Sequence, residues 1–152
     1  MIDERLQELG IVLPPVFPPA GNYAGCVIDG GLVHVSGHGP VNGGTIIRGK
    51  VGADLSLDQG RAAARLTALS ILATLRAELG SLDRIARIVK VFGMVNTAPG
   101  FTQTPAVIDG CSDLLAAVFG DAGRHARSAV GLAELPTGIA VEIELTARLR
   151  AG

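Results

Sequence analysis

An arginine at the mouth of an apolar strand is the strongest chemical signal in this chain. Arg127 opens the run Arg127-Ser-Ala-Val-Gly-Leu-Ala, whose other members are small or apolar. A guanidinium entering a partly buried strand needs a carboxylate partner or an anionic ligand, because an unpaired desolvated charge is costly. On the residues alone the favoured partner is Glu142 or Glu144 of the following run, a structural ion pair; a ligand clamp is the competing reading. The histidines say less. His34 lies on an alternating segment and reads as a satisfied structural histidine, His38 sits in Gly37-His38-Gly39-Pro40, and His125 adjoins Arg124 and Arg127. Spacing assigns none of them a serine or cysteine partner, so a triad is unsupported. Cys26 and Cys111 are isolated, and three scattered histidines do not make a zinc set. Gly37-His38-Gly39 does not fit a dinucleotide loop, because no helix follows it; it reads as a turn exposing backbone N–H groups at a pocket edge. Neither Lys50 nor Lys90, the only lysines, is placed for a Schiff base. No metal and no cofactor are expected.

The elements that must position these groups follow from periodicity. Residues 1–10 carry Ile2, Leu6 and Leu9 at helical spacing. Residues 13–23 hold four prolines and read as an extended arm lying over the body. Residues 26–28 and 32–36 flank Asp29-Gly30-Gly31 and predict a β-hairpin. A glycine-rich loop (37–44) and a weaker strand (45–51) come next. Ser56 and Gln59 form a capping-box signature for a helix that runs to Leu79 and stops at Gly80. Residues 85–95 are β-rich. Thr104-Pro105 opens a second helix, with proline at its first position, reaching Phe119-Gly120. Residues 126–135 read as a strand, 136–138 as a turn, and 139–148 as a half-buried strand with Ile139, Val141, Ile143, Leu145 and Ala147 on one face and Glu142, Glu144, Thr146 and Arg148 on the other.

The order β-β-(β)-α-β-α-β-β leaves two helices for a five- or six-stranded sheet. An α+β sandwich results, a mixed sheet with both helices on one face. The other face is partly polar and calls for cover by self-association. With 152 residues the chain is one domain, divided as an N-terminal helix and Pro-rich arm (1–20) and a body (21–152). Apolar residues make up 48% and charged residues 18%, which excludes disorder. A net charge of −1 and 3% aromatics argue against phosphate-neutralising or base-stacking nucleic-acid binding. No apolar run is long enough to span a membrane, and MIDERLQELG lacks the pattern of a signal peptide. The expected compartment is the cytoplasm.

Ordered motifs then resemble a family. Gly21-Asn22-Tyr23, Val33-His34-Val35-Ser36-Gly37 with Pro40-Val41, Ala126-Arg127-Ser128 with Leu135-Pro136, and Val141-Glu142-Ile143-Glu144 together resemble the Rid (YjgF-type, reactive intermediate deaminase) family over about residues 20–150. The resemblance implies a chorismate-mutase-like fold and a homotrimer with clefts between subunits. It also implies cofactor-free hydrolysis of amino-acid-derived enamines and imines to 2-keto acids and ammonia. It makes Arg127 the carboxylate clamp, Glu142 the group that positions or activates water, and Tyr23, Ser36 and Gly37 pocket residues. Three positions depart from the family pattern. Ala129 stands where cysteine is frequent, Ser112 falls near a pocket asparagine, and His38 replaces the usual glutamine. These departures mark a divergent subgroup. Two other functions compete: a trimer that binds a 2-keto acid without turnover, and the endoribonuclease or translation-inhibitor activity also ascribed to the family.

Overall fold

The computed structural model describes residues 1–152. Seven strands and three α-helices alternate along the chain: α1 (Ile2–Glu8), β1 (Cys26–Asp29), β2 (Leu32–His38), β3 (Val41–Asn42), β4 (Thr45–Ile46), α2 (Leu57–Leu79), β5 (Ile85–Asn96), α3 (Thr104–Phe119), β6 (Ala126–Leu132) and β7 (Val141–Leu149). Five strands form one mixed sheet in the order β1-β2-β7-β5-β6. Only the β5–β6 pair is parallel, joined through α3; the others are antiparallel. The predicted hairpin around Asp29-Gly30-Gly31 is present, with both glycines at positive φ.

Both long helices lie on one sheet face. Val33 and Val35 of β2, Val91 and Val95 of β5, and Val141, Ile143 and Leu145 of β7 are buried with Ile71, Leu72 and Leu75 of α2 and Ile108 and Leu115 of α3. Leu6 of α1 joins the same core, and Ile2 donates its backbone N–H to Asp83 at 2.8 Å. Ser56 caps α2 as its sequence predicts: its hydroxyl accepts from Gln59 N while Gln59 Oε1 accepts from Ser56 N. The opposite face carries Phe92, Met94, Glu142, Glu144 and Thr146, and no element of the chain lies across it as α2 and α3 lie across the first.

Four expectations need correction. The strand expected over 45–51 is only Thr45–Ile46, and its partner β3 comes from the expected glycine loop. The segment beyond it is tied instead by single bridges, Arg48 to Ile139 and Val51 to Thr97. β6 stops at Leu132, and β7 starts two residues later than expected, at Val141, because Pro136–Gly138 makes a tight turn with Thr137 at positive φ. In α3 the N-cap is Gln103, which puts Pro105 at the second helical position.

The crossing of α2 and α3 depends on one glycine. A methyl group on Gly110 would stand 2.1 Å from the Arg61 carbonyl oxygen, a backbone atom that cannot swing aside. We expect Gly110→Ala to cost at least ~1–3 kcal/mol, the usual penalty of overpacking. Its melting temperature should fall by about 2–4 °C per kcal/mol in a chain of this size. A melting temperature equal to that of the wild type would refute the close approach.

Candidate functional site

The polar groups of the open sheet face converge where β2 is irregular. Between the pairs Val35–Leu145 and His38–Ile143, Ser36 and Gly37 oppose the single residue Glu144. Such a bulge bends the strand and re-aims its side chains. A methyl group on Gly37 would stand 2.9 Å from Glu142 Oε2, so glycine here lets the carboxylate lie against the strand backbone. The Ser36 hydroxyl donates to Ala24 O at 2.6 Å, and Ser36 N–H donates to Gly25 O at 3.0 Å. These bonds fasten the bulge to the end of the N-terminal arm. Tyr23 stands on that arm, its hydroxyl accepting from Ala20 N–H at 3.1 Å.

His38 joins the bulge to α2. Its Nδ1 lies 2.6 Å from Ser36 O, so Nδ1 carries the proton and donates; Nε2 is then free to accept from the Thr74 hydroxyl at 2.9 Å. Burial holds the imidazole below its ordinary pKa, which favours the neutral form this pattern requires. His38 is therefore a strut of the cavity wall.

The arm, the bulge and β7 enclose a cavity of about 710 Å³. Tyr23, Ser36, Gly37, His38, Arg48 and Glu142 line it, with Glu144. Glu142 is half-buried, and burial, helped by the neighbouring Glu144 charge, pushes its carboxyl above the ordinary carboxylate range. A carboxylate so raised in a cleft is suited to take and return a proton. A general base must be ionised, so activity that depends on Glu142 is lost as pH falls through its raised pKa. Replacing Glu144 by Gln removes one of the two causes of the elevation. The acidic limb of the kcat/KM profile should then move to lower pH; an unmoved limb would separate Glu144 from the site.

Arg127, Ser112 and Ala129 lie elsewhere. On β6, Arg127 is level with Val91 and Ala129 with Gly93, positions that face α3. Arg127 Nη1 donates to Asp109 Oδ1 at 2.7 Å and to Ser112 Oγ at 3.1 Å, and Nη2 donates to Pro105 O at 3.4 Å. The ion-pair partner is thus Asp109 of α3 (2.7 Å), and neither Glu142 nor Glu144 pairs with Arg127. Ser112 Oγ also lies 2.9 Å from His125 Nε2, while His125 Nδ1 lies 2.6 Å from Gly123 O. Nδ1 therefore donates to the carbonyl, and Nε2 accepts the Ser112 proton. Burial lowers the His125 pKa and the Arg127 charge lowers it further, keeping the ring neutral.

Asp109 and Arg48 were not singled out by sequence reasoning. Asp109 and Ser112 sit at i and i+3 of a largely apolar helix, a spacing that places them on one face next to the arginine strand. Arg48 had only its place at the end of Thr45-Ile46-Ile47 to mark it. The thiols are poor nucleophiles: burial pushes Cys111 up to about 12 and also raises Cys26. No His, Cys, Asp and Glu side chains gather in threes at metal-binding distance.

A family model described as "YjgF/chorismate_mutase-like, putative endoribonuclease" matches residues 3–148. Protein TCP17 of Trypanosoma cruzi is 47% identical over 147 residues, covering 95% of this chain and 92% of its own. The crystal structure of Atu1372, a protein of unknown function from Agrobacterium tumefaciens, superposes with a TM-score of 0.89 at 41% identity, covering 99% of this chain and 92% of that one. A structure from Shewanella oneidensis MR-1, described as a putative endoribonuclease, gives 0.94 at 35% identity and covers 98% and 99%. The fold is the α+β, chorismate-mutase-like one.

Proposed function

The chain belongs to the YjgF/chorismate mutase-like family, and on that footing we propose that it hydrolyses small carboxylate-bearing imines and enamines to 2-keto acids and ammonia. One observation carries this reading: a half-buried carboxylate with a raised pKa lines a cavity with Tyr23, Ser36 and the glycine bulge. Glu142 takes a proton from water as the water oxygen bonds to the carbon of the protonated imine and the C=N electron pair passes to nitrogen. The carbinolamine then collapses. Glu142 returns its proton to nitrogen and then accepts the hydroxyl proton as the C=O bond forms, the C–N bond breaks and ammonia leaves; passing that proton to ammonia restores the carboxylate. An enamine enters the same sequence after protonation at carbon. No redox partner is needed, so the step balances with water alone.

Arg127 is the proposed clamp for the substrate α-carboxylate, acting from a neighbouring subunit of a homotrimer. Two features support an assembled site. β6 is separated from β7 by β5, so neighbouring-strand spacing alone sets the two about 10 Å apart, and Arg127 and Glu142 face opposite sides of the sheet. One chain cannot bring them onto one substrate. A head-to-tail contact between two different patches, closing after three copies, can. Ser112 and Ala129 flank the clamp on its own subunit. Phe92, Met94 and the exposed Val130 give the open face apolar area to bury there.

No helix is long and apolar enough to cross a membrane, and the proposed setting is the cytoplasm. Light scattering should give three times the 15.5 kDa chain mass; a monomer at micromolar concentration would refute the assembled site. Ribonuclease activity has the family description behind it. RNA degradation that survives in Arg127→Ala and Glu142→Gln preparations would belong to a contaminant.

A further inference from the structure

Resting on that reading, we propose that Arg48 selects the substrate class by binding a second anionic group, so that the preferred substrates are imines and enamines of dicarboxylic amino acids. Arg48 is the only lysine or arginine lining the Glu142 cavity, whose other charged groups are Glu142 and Glu144. It makes no ion pair with either. Its only hydrogen bond runs from Nε to Thr137 O at 3.0 Å, which leaves both terminal nitrogens without a protein partner.

The anchor is built, and at a conformational cost. Thr137 holds φ 54° and ψ 17°, a left-handed conformation that a β-branched residue seldom adopts. Around it, Gly49 N–H donates to Gly138 O at 3.0 Å and Ala140 N–H donates to Ile47 O at 3.1 Å. The segment bearing Arg48 is thus stapled to the turn whose carbonyl pins its Nε. An arginine held at Nε presents its remaining N–H groups as a preorganised fork, the geometry that suits a carboxylate.

The mono-acid substrates of the proposed reaction need one cation, and Arg127 serves that purpose. Arg127 lies outside this cavity and already answers to Asp109, so Arg48 is left to offset charge elsewhere on the ligand. A cavity of about 710 Å³ falls in the range of well-formed ligand sites and exceeds the needs of a three-carbon imine. Two wall carboxylates would repel a dianion unless a cation stood among them. Arg48 supplies it.

The test uses two keto acids of equal chain length, 2-oxoglutarate and 2-oxopentanoate, which differ by the distal carboxylate. Calorimetry on the wild-type protein should find the diacid bound about tenfold or more tightly, the value of one charge-assisted contact. Arg48→Gln should bring the two affinities together by weakening the diacid alone, and Arg48→Lys should give an intermediate preference. Arg48 is exposed, so folding of these variants is expected to hold. Equal affinities in the wild type, binding of neither acid, or equal weakening of both in Arg48→Gln would overturn the assignment. Turnover reports separately on the reading beneath it. Imine hydrolysis without a diacid preference defeats the role of Arg48 alone. A diacid preference without hydrolysis defeats the deaminase reading and leaves Arg48 as a selector in a binding protein.

Discussion

Glu142→Gln should lower kcat/KM for imine hydrolysis by about 10²–10⁴-fold, the usual worth of a positioned general acid–base. Its keto-acid affinity and melting temperature should stay close to wild type. The amide is nearly isosteric with the carboxylate and fits against Gly37, but it cannot take a proton from water. Losing the carboxylate also removes a charge that burial and Glu144 disfavour, so no stability penalty is expected from electrostatics. Steady-state ammonia release, read beside thermal unfolding and calorimetry, separates the possibilities. A loss of turnover matched by a loss of fold would make Glu142 structural. Unchanged turnover would remove it from the reaction.

Arg127→Ala should weaken keto-acid binding and kcat/KM by about ten- to a hundredfold, corresponding to ~1.5–3 kcal/mol for a charge-assisted pair. Lysine should not rescue it, because the planar fork is lost. The Asp109 contact sharpens the expectation. Asp109 is 43% exposed in its side chain, so it remains hydrated when Arg127 is removed, and melting should be near normal. Asp109 also competes with a substrate carboxylate for the same guanidinium, and Asp109→Asn should bind keto acids at least as tightly as wild type. A clear fall in melting temperature with unchanged affinity for 2-oxobutyrate would mean that Arg127 serves α3 and nothing else.

Local rules make most of the fold legible in the sequence. Ser56 and Gln59 marked the start of α2, Asp29-Gly30-Gly31 marked the hairpin, and the alternation from Val141 onward separated the core face from Glu142 and Glu144. Where local signals were weak, register decided. Ile46, Ile47 and Val51 carry β-branched character, yet the chain leaves Ile46 to bridge onto residues 137–140 instead of extending a strand. The β2 bulge has no sequence signature beyond Gly37, although it sets the position of the site. Arg127 shows the same limit from the other side. Its need for a counter-charge was readable from its apolar neighbours, but the choice of Asp109 over Glu142 depends on which side of the sheet β6 turns toward α3. Pairing across strands is a property of the assembled sheet, and side-chain period alone does not fix it. Arg48 owes its interest to Thr137, 89 residues away in sequence, a contact set by loop closure and not by local propensity.

Hydrolysis at Glu142 is read most directly from ammonia release from 2-aminoacrylate, generated in situ from serine by a dehydratase, with and without this protein. The expected result is release faster than the protein-free reaction, proportional to protein concentration and lost in Glu142→Gln. Release at the protein-free rate, from a preparation that is folded and binds 2-oxobutyrate, would contradict hydrolysis at Glu142.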